Sequence, residues 1–444
     1  MGDDGQPIPG ANVRVLNTSV ATSTDANGNY SLQIPNNQNM LTFSYIGYLT
    51  QTLKVSGSKK IQVSLEESKN NLQEVVVTAL GINKEKKSLG YAIQEVKGSD
   101  LAEAKESNLV NALAGKVAGV NITNSQGNMG SSRIVIRGET SISGNNQPLF
   151  VVDGVPVDNS QLGAGGSRDF ANAISDINSE DIESISVLKG PNAAALYGSR
   201  AANGVILIKT KSGKRGKSRS ISLNSSTTFE DLLVLPSYQD VYGQGSNGQF
   251  SYVDGKGGGV NDGVDESWGP KMDGRLIPQF NSNGVAVPFV PHPDNVRSFF
   301  ETGHTLNNGV SFSGGGEAYN YRFSYNNSGQ KGVVPNSELN KNSLGFNSSF
   351  DLLPKLKLDL TANYVRTSSD NLPGSAGRRA TSTMLQFLWF GRQVDVAALK
   401  DYKDANGNTF NWNNSYYSNP YFIAYENTVS QRRDRLLGTV GLSY

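Results

Sequence analysis

The second half of the chain alternates strictly between apolar and polar residues. In the stretch AYNYRFSYNNSG, residues 318–329, four aromatic residues occupy one face and polar residues the other. Strands with one apolar and one polar face over about ten residues are typical of membrane barrels, with lipid outside and water inside. A soluble β-sandwich also alternates, but it seldom places four aromatic residues in succession on one face. The apolar face holds Tyr319, Tyr321, Phe323 and Tyr325, and the polar face holds Asn320, Arg322, Ser324 and Asn326.

The same alternation recurs in LKLDLTANYVRT, residues 356–367, and in LLGTVGLSY, residues 436–444. Long stretches rich in Gly, Asn, Ser and Tyr separate these strands at 236–298 and 369–430. They are too long for tight hairpins, so we expect extracellular loops. Most of the aromatic residues of the chain also lie after residue 220, which supports a division there.

The first 66 residues contain short β-runs at a spacing of about 8–12 residues, separated by Pro, Asn and Gly, and this spacing predicts a small β-sandwich. Its segment DANGNY resembles the start of a calcium loop. However, Gly28 is not at the sixth position of such a loop, and Asn36 at the twelfth cannot supply a bidentate carboxylate. The segment therefore predicts a hairpin turn.

Residues 67–87 are mainly polar and charged apart from the run EVVVTALGI, residues 74–82, which contains three valines. Two interpretations stay open on the residues alone. The run is either an edge strand of a neighbouring domain or an extended segment that another protein adds to its sheet by backbone pairing.

Residues 88–217 mix apolar strands with short helical segments, which predicts an α+β domain. Near its end, VLKGPNAAALYGSRAANGVILIKT lacks the lysine that a P-loop carries after its second glycine. Pro191 suits a first helical turn and Gly198 suits a helix end with positive φ. We therefore predict a tight strand–helix–strand corner rather than a phosphate site.

The composition excludes most catalytic chemistry. The chain has no cysteine and two histidines, His292 and His304, both in loop-like or strand-like contexts. Forty basic residues balance 39 acidic ones, which excludes an overall charge suited to nucleic acid. The basic run 209–219 lacks interleaved aromatic residues and is interpreted as a solvated turn near membrane head groups. We predict no catalytic residue, no metal site, no cofactor and no nucleic-acid partner.

Several motifs, in this order, resemble the SusC/RagA-type TonB-dependent outer-membrane transporters. GQPIPGANVRVLNTSVATSTDANGNYSL is similar to the carboxypeptidase-regulatory-like domain of that family, and LQEVVVTALGI to its TonB box. SRIVIRG and PLFVVDGVPVDN are similar to the core of its plug domain, and residues 177–214 to the end of the plug.

The resemblance implies a mainly β protein. It implies an Ig-like carboxypeptidase-regulatory-like β-sandwich at 1–66, a linker with the TonB box at 67–87, an α+β plug at 88–217 and the first strands of a transmembrane β-barrel at 218–444. A plug of about 130 residues is too wide for an eight-stranded barrel and fits one of about 22 strands. We therefore expect most of the antiparallel barrel to lie beyond residue 444 or in another chain, and Met1 to be a mature or recombinant start.

The resemblance also implies TonB-dependent import of an oligosaccharide or oligopeptide across the outer membrane of a diderm bacterium, and no enzymatic activity. The implied partners are TonB of the TonB–ExbB–ExbD complex, a SusD-like lipoprotein, outer-membrane lipids and the glycan or peptide ligand; a dimer of SusC–SusD pairs stays open. The sandwich and the TonB box would be periplasmic and the long loops extracellular. A siderophore receptor, or an outer-membrane binding protein or adhesin without transport, is the alternative.

The site residues that the resemblance implies fall into two groups. The TonB box comprises Glu74, Val75, Val76, Val77, Thr78 and Ala79. The core and latch of the plug comprise Arg137, Gly138, Asp153, Gly154, Lys189, Gly190, Pro191, Gly198, Arg200 and Gly204. The charged residues of the plug that we expect to form ion pairs with the barrel are Arg137, Glu139, Asp153, Lys189 and Arg200.

Overall fold

The computed structural model is mainly β and divides into two compact units, residues 1–75 with 85–87, and residues 76–84 with 88–444. It describes residues 2, 5–16, 18, 20–35, 40–45, 47–55, 60–66, 75–77, 83–85, 93–104, 106, 108–124, 129–142, 144–160, 169–190, 197–216, 219–250, 266–374, 382–414 and 417–444. None of the helices in these ranges has the length and hydropathy of a membrane span.

The N-terminal unit contains one four-stranded antiparallel sheet, ordered β2-β1-β3-β4. Alternate residues of its strands, such as Val13 and Phe43, are buried in a common apolar core. The predicted strands at 29–34 and 60–65 are not assigned as strands, but their apolar side chains pack against this core. The strands are β1 (Asn12–Val15), β2 (Ala21–Ser23), β3 (Met40–Ser44) and β4 (Gln51–Lys54).

The segment DANGNY forms the turn that its sequence predicts. A carboxylate oxygen of Asp25 accepts hydrogen bonds from the backbone N–H groups of Asn27, at 2.9 Å, and Asn29, at 2.8 Å. Gly28 has a φ of 74°, which favours glycine. The bond from Asn29, the largest contribution, lowers the pKa of Asp25.

A separate two-stranded sheet pairs β5 (Val75–Val77) with β6 (Asn83–Glu85). Three valines, Val75 to Val77, form the whole of β5, and β-branched residues favour extended backbone because their χ1 rotation is restricted.

Residues 93–210 form an α+β structure that we call the central unit. Its main sheet has the order β11-β10-β13-β12-β7, in which only the β10–β13 pair is parallel, and β8 pairs with β9 separately. The strands β12 and β13 are buried along almost their whole length, as expected for a sheet covered on both faces. The elements are β7 (Ile93–Lys97), α1 (Gly98–Ala104), β8 (Val120–Asn124), β9 (Ser132–Ile136), β10 (Leu149–Val152), β11 (Val155–Val157), β12 (Ile182–Leu188) and β13 (Val205–Thr210), with 3₁₀ turns at Asn111–Leu113, Ala173–Asp176, Ser179–Asp181 and Ser199–Ala201.

Six of the remaining strands build a long antiparallel sheet, ordered β14-β17-β18-β19-β20-β21, that we call the wall sheet. Short hairpins join β17 to β18 and β19 to β20, whereas the connections at the other end are longer. In the part of residues 220–443 that the structure describes, β14 and β21 are the two edges of this sheet and do not pair with each other. The strands are β14 (Ser220–Glu230), β15 (Leu276–Pro278), β16 (Ala286–Pro288), β17 (Gly303–Gly315), β18 (Tyr319–Lys331), β19 (Glu338–Leu353), β20 (Leu356–Ser369) and β21 (Gln431–Ser443), of which β15 and β16 pair only with each other.

Strand register sorts the wall sheet into an apolar outer face and a polar inner face. Phe312, Phe323 and Phe346 lie directly opposite one another on three neighbouring strands, and all three are exposed. The intervening residues Ser324 and Asn326 are buried. This arrangement confirms the assignment of faces that the alternation predicted.

The long connections fold above the wall sheet around a shared aromatic core. Phe299 contacts Phe387 and Tyr421 edge to face, with ring centroids 5.1 and 5.0 Å apart. Edge-to-face pairs add to the stabilisation that burial of the rings provides. The helices of these connections are α2 (Asn295–Phe299), α3 (Thr383–Leu388) and α4 (Pro420–Glu426), and a 3₁₀ turn covers Val396–Leu399.

Candidate functional site between the central unit and the wall sheet

Two buried aspartates of the central unit bind arginines of the wall sheet. The first, Asp181, accepts a contact of 2.8 Å from Arg322 Nη2, and both side chains are about a tenth exposed. Asn326 Nδ2 donates a second bond of 2.9 Å to the other carboxylate oxygen. A buried carboxylate needs such partners because the loss of water is otherwise uncompensated.

The second aspartate, Asp176, contacts two arginines of β21. Arg433 Nη2 lies 2.6 Å from Asp176 Oδ1 and Arg435 Nη1 lies 3.5 Å from Oδ2. Thr367 Oγ1 of β20 donates a bond of 3.2 Å to the same carboxylate. The side chain of Asp176 is only 3% exposed, so its two arginines supply the charge compensation that water would otherwise give. We call this set the aspartate clasp: Asp176, Asp181, Arg322, Arg433 and Arg435.

Local structure explains why both aspartates project from the central unit. Each one ends a 3₁₀ turn, at Ala173–Asp176 and Ser179–Asp181. The second turn is capped by Asn178, whose side-chain oxygen accepts a bond from the N–H of Glu180 at 2.9 Å. On the wall sheet, alternation places the three arginines on the inner face.

The clasp corrects the ion pairs that the sequence predicted. Glu139 pairs with Arg133 of the central unit itself at 2.7 Å, and Lys189 Nζ donates to Gln94 Oε1 at 2.7 Å. In the described part of the chain, the ion pairs between the central unit and the wall sheet include those of Asp176 and Asp181, which the sequence did not predict. Two features of the sequence could have indicated the clasp: the acidic stretch SDINSED, residues 175–181, and the arginines at alternate positions of β21, Arg433 and Arg435.

Part of the predicted plug core comes together at one corner of the central unit. A methyl group on Gly190 would lie 3.3 Å from Arg137 Nη1, so the guanidinium covers this glycine. A methyl group on Gly204 would lie 2.8 Å from the carbonyl oxygen of Leu188, and its φ is 96°. Burial, and secondarily the charge of Arg137, lowers the pKa of Lys189. The corner thus has no room for a side chain at Gly204.

Other predicted core residues lie elsewhere. Gly138 lies just after β9 and Gly154 lies just after β10. Gly198 immediately precedes the 3₁₀ turn that contains Arg200, and all three glycines have a positive φ. Pro191 lies outside the described residues.

A hydrogen-bonded chain connects a third acid to the wall sheet. Thr210 donates through its N–H to Asp153 Oδ1 at 2.9 Å and through its hydroxyl to Oδ2 at 2.7 Å. Asn347 of β19 donates to Thr210 Oγ1 at 2.9 Å and to the carbonyl of Lys211 at 2.6 Å. Burial outweighs the bonds from Thr210 and raises the pKa of Asp153. The carboxyl of Asp153 is therefore connected to Asn347 of the wall sheet through the hydroxyl group of Thr210.

The predicted TonB box is described only in part. Val75, Val76 and Val77 form β5 and pair with β6. Glu74, Thr78 and Ala79 lie outside the described residues. No group of three or more metal-ligating side chains occurs in the ranges that the structure describes.

Comparison with known proteins places these elements in a family. The TonB-dependent Receptor Plug Domain matches residues 85–205, and the CarboxypepD_reg-like domain matches residues 2–77. The TonB-dependent receptor SusC of Bacteroides thetaiotaomicron is 32% identical over 367 residues, which cover 81% of this chain and 32% of that receptor. The ferric enterobactin receptor of Pseudomonas aeruginosa is 35% identical over 146 residues, covering 32% of this chain and 19% of that receptor.

A solved structure supports the same fold. The RagAB peptide importer in its open-open state superposes with a TM-score of 0.58 at 21% identity, covering 84% of this chain and 41% of that chain. The chain spans about a third of the length of curated relatives such as SusC, which are receptors and not enzymes. The resemblance inferred from the motifs is confirmed: the chain belongs to the SusC/RagA-type TonB-dependent transporters.

Proposed function

We propose that this chain is the N-terminal part of a TonB-dependent importer in the outer membrane of a diderm bacterium. The observation that carries the proposal is a compact unit packed on the polar face of a sheet whose opposite face is apolar and exposed. Such a sheet suits lipid on one side, and the central unit then fills the lumen as a plug. Nutrient receptors of this family are outer-membrane proteins.

The polar character of the interface suits a plug that must move. Two small cavities, each of about 40 Å³, border Ile177 and Asn178 between the two aspartates of the clasp. The cavity beside Asn224 and Asn308 has room for about one water molecule among polar partners, whereas the cavity beside Val152 and Leu344 is lined mainly by apolar side chains. Because water can replace hydrogen bonds, the polar part of the interface can separate without exposing an apolar surface.

The proposed topology follows the domain boundaries inferred from the sequence. The sandwich at 1–66 and the linker at 67–87 lie in the periplasm, the plug at 88–217 lies in the lumen, and the wall begins at 218. The long connections at 236–298 and 369–430 are extracellular and meet the ligand. The cargo is an oligosaccharide or an oligopeptide.

The proposed partners are TonB, which pairs with the valine run, and a SusD-like lipoprotein, which covers the extracellular side. The similarity to SusC supports the second partner. Ligand binding shifts the plug and releases residues 74–79 for strand addition to TonB, whose pull then remodels the plug. A dimer of importer–lipoprotein pairs is compatible with this scheme.

The experiment that tests the proposal compares Val76→Pro with Val76→Thr. Proline removes the backbone N–H that strand pairing requires, whereas threonine keeps it. We expect the full-length Val76→Pro protein to lose binding to the periplasmic domain of TonB and to lose uptake, while surface binding of cargo persists. The Val76→Thr protein should retain TonB binding, uptake and surface binding of cargo. Normal TonB binding by the proline variant would contradict the proposal.

Purification of the native complex from the outer membrane tests the other partners. We expect a lipoprotein and a bound oligosaccharide or oligopeptide to co-purify with the full-length protein. A siderophore receptor is the second candidate, because the ferric enterobactin receptor of Pseudomonas aeruginosa is 35% identical over 146 residues. A bound ferric complex in the purified material would favour it. Surface binding of cargo without any uptake by the wild-type protein would favour an adhesin or binding protein.

A further inference from the structure

The outer face of the wall sheet changes from apolar to polar between two neighbouring rows of paired residues on β18 to β21. The last apolar row consists of Tyr325, Leu344, Tyr364 and Leu436. The first polar row, two residues nearer to the long connections, consists of Asn327, Asn342, Arg366 and Asp434. In a membrane barrel such a change marks the level at which the hydrocarbon ends and the lipid head groups begin.

Two tyrosines connect the two rows. The hydroxyl of Tyr325 donates to Asn342 Oδ1 at 2.9 Å, and the hydroxyl of Tyr364 donates to Asp434 Oδ1 at 2.5 Å. Tyrosine is enriched at membrane interfaces because its ring is apolar, whereas its hydroxyl needs a polar partner. The direction of these two hydroxyls therefore places the polar row in the head-group layer.

In this layer one carboxylate holds two arginines by the same atom, Nε. Arg366 Nε lies 2.6 Å from Asp434 Oδ1, and Arg432 Nε lies 3.4 Å from Asp434 Oδ2. In the described part of the chain, the terminal nitrogens Nη1 and Nη2 of both arginines have no hydrogen-bond partner. Because Asp434 occupies the Nε atoms, the terminal edges of both guanidinium groups remain available on an exposed surface.

The chemistry of this cluster matches a phosphate group. Two guanidinium groups share one carboxylate, so a positive charge remains, and a guanidinium edge binds phosphate through two parallel hydrogen bonds. Asn342, which pairs with Arg366 in the same row, adds a donor. Its Oδ1 accepts bonds from Tyr325 and Asn327, which leaves its amide nitrogen free to donate.

The position of the cluster favours a lipid phosphate over a soluble anion. The apolar row lies directly next to it, and Leu436 is 73% exposed there. A single lipid can therefore place its phosphate on the arginines and its acyl chains on the apolar rows. A soluble anion makes only the first of these contacts.

We propose that Arg366, Arg432 and Asn342 bind the phosphate group of a phosphorylated lipid in the outer leaflet. The inference rests on the proposed function, which puts these rows at the extracellular side of the membrane. Asp434 is a positioning residue, because it acts through the two arginines. Arg366 lies near the end of β20 and Arg432 near the start of β21, so the bound lipid fixes both ends of the long connection between these strands.

Native mass spectrometry of the delipidated full-length protein in an uncharged detergent tests the inference. The protein is titrated with dioleoyl phosphatidic acid and with dioleoylglycerol, which has the same acyl chains but no phosphate. Inorganic phosphate is the soluble competitor. Arg366→Gln, Arg432→Gln and the double variant remove the charges and keep the apolar stems of the side chains. Lys355→Gln, in the exposed β19–β20 hairpin at the opposite end of the strands, is the matched control.

We expect the wild-type protein to bind phosphatidic acid at least about tenfold more tightly than dioleoylglycerol, a difference of about 1.4 kcal/mol. The double variant should lose about this factor for phosphatidic acid, each single variant should lose less, and the affinity for dioleoylglycerol should not change. The Lys355→Gln protein should bind both lipids like the wild type. Inorganic phosphate in large excess should not displace the lipid.

Equal binding of phosphatidic acid by the wild type and the double variant, equal binding of the two lipids by the wild type, or the same loss in Lys355→Gln would overturn the inference. Displacement by inorganic phosphate would assign the arginines to a soluble anion and would also overturn it. Arg366 and Arg432 are 43% and 62% exposed, so we expect the glutamine variants to fold, and either single variant can replace the double variant.

The binding measurement needs neither TonB nor cargo. A negative result therefore rejects the lipid site alone, whereas failure of the Val76→Pro test rejects the proposed function.

Discussion

The central unit and the wall sheet are both made mainly of strands, yet they distribute apolar residues in opposite ways. In β13 of the central unit, VILIKT, five of six residues are buried. In β21 of the wall sheet, exposed and half-buried residues alternate along the strand. The first unit buries apolar residues in its own interior, and the second turns them outward.

The difference determines how the two regions meet. Because the wall sheet keeps most of its polar residues inside, the contact between the regions includes hydrogen bonds and ion pairs such as that of Asp181 and Arg322. An apolar cluster also joins the regions: Met129, Phe170, Leu339 and Leu372. Polar contacts exchange with water more readily than apolar packing does. The comparison teaches that the two regions bury apolar residues in different places, while much of the contact between them is polar.

The largest expected effect comes from breaking the aspartate clasp. Asp176→Ala leaves Arg433 and Arg435 without their buried carboxylate, which should destabilise the packing of the central unit on the wall sheet by about 3–5 kcal/mol. Hydrogen exchange of β12 and β13 in the full-length protein measures the loss. Exchange at the wild-type rate would show that the clasp does not hold the central unit.

Asp434→Ala is the matched control for the clasp. Asp434 also contacts arginines, Arg366 and Arg432, but it lies on the outer face of β21 and is well exposed. Water replaces these contacts, so the variant should exchange like the wild type.

The second prediction tests the apolar outer face. Phe323→Arg puts a charge on the apolar outer face of β18 and should destabilise the folded protein in bilayers by about 2–4 kcal/mol. Tyr319→Arg, on the same face beside the hairpin, should cost about 0–1 kcal/mol. Denaturant titration of the full-length protein in lipid vesicles compares the two variants. Equal costs would contradict a lipid-facing surface.

The third prediction concerns the interior of the central unit. Gly204→Ala should cost about 1–3 kcal/mol beyond the strain of its positive φ, because a methyl group there lies 2.8 Å from the carbonyl oxygen of Leu188. Gly115→Ala is the control, since Gly115 has a φ of 72° but nothing within 4 Å of the added carbon. It should cost about 1–2 kcal/mol from the backbone alone. If thermal unfolding shows the same loss for both, the corner at Gly204 is not tightly packed.

The smallest effect is a pH dependence at Asp153. Burial raises its pKa in the folded protein above the ordinary value of 3.8. The stability that the protonated carboxyl contributes is therefore present below pH 3.8 and is lost as the pH rises through the raised pKa. Asp153→Asn cannot ionise, so the difference in free energy of unfolding between wild type and variant should change across this interval. A constant difference would contradict the raised pKa.

Local features of the fold could be predicted from the sequence. The pentapeptide DANGN occurs twice, at 25–29 and 404–408, and forms the same turn in both places. In each, the aspartate accepts bonds from the N–H groups two and four residues later, and the glycine has a positive φ. The alternation of the wall strands was equally local, and its two faces were assigned correctly.

Contacts between distant parts of the chain could not be predicted. Sequence alone does not show which charges meet across a separation such as the 257 residues between Asp176 and Arg433, so the aspartate clasp was missed and other charges were proposed in its place. The aromatic core of the long connections was missed for the same reason. Its rings come from segments whose glycine-rich and asparagine-rich composition predicted only loops.

The most direct test of the account is the environment of successive residues along β18. Spin labels at positions 321 to 326 of the full-length protein in lipid bilayers are exposed to oxygen, which concentrates in lipid, and to a water-soluble nickel complex. We predict that collisions with oxygen are frequent at 321, 323 and 325 and rare at 322, 324 and 326. Uniform values along the strand, or access of nickel to the aromatic positions, would contradict the account.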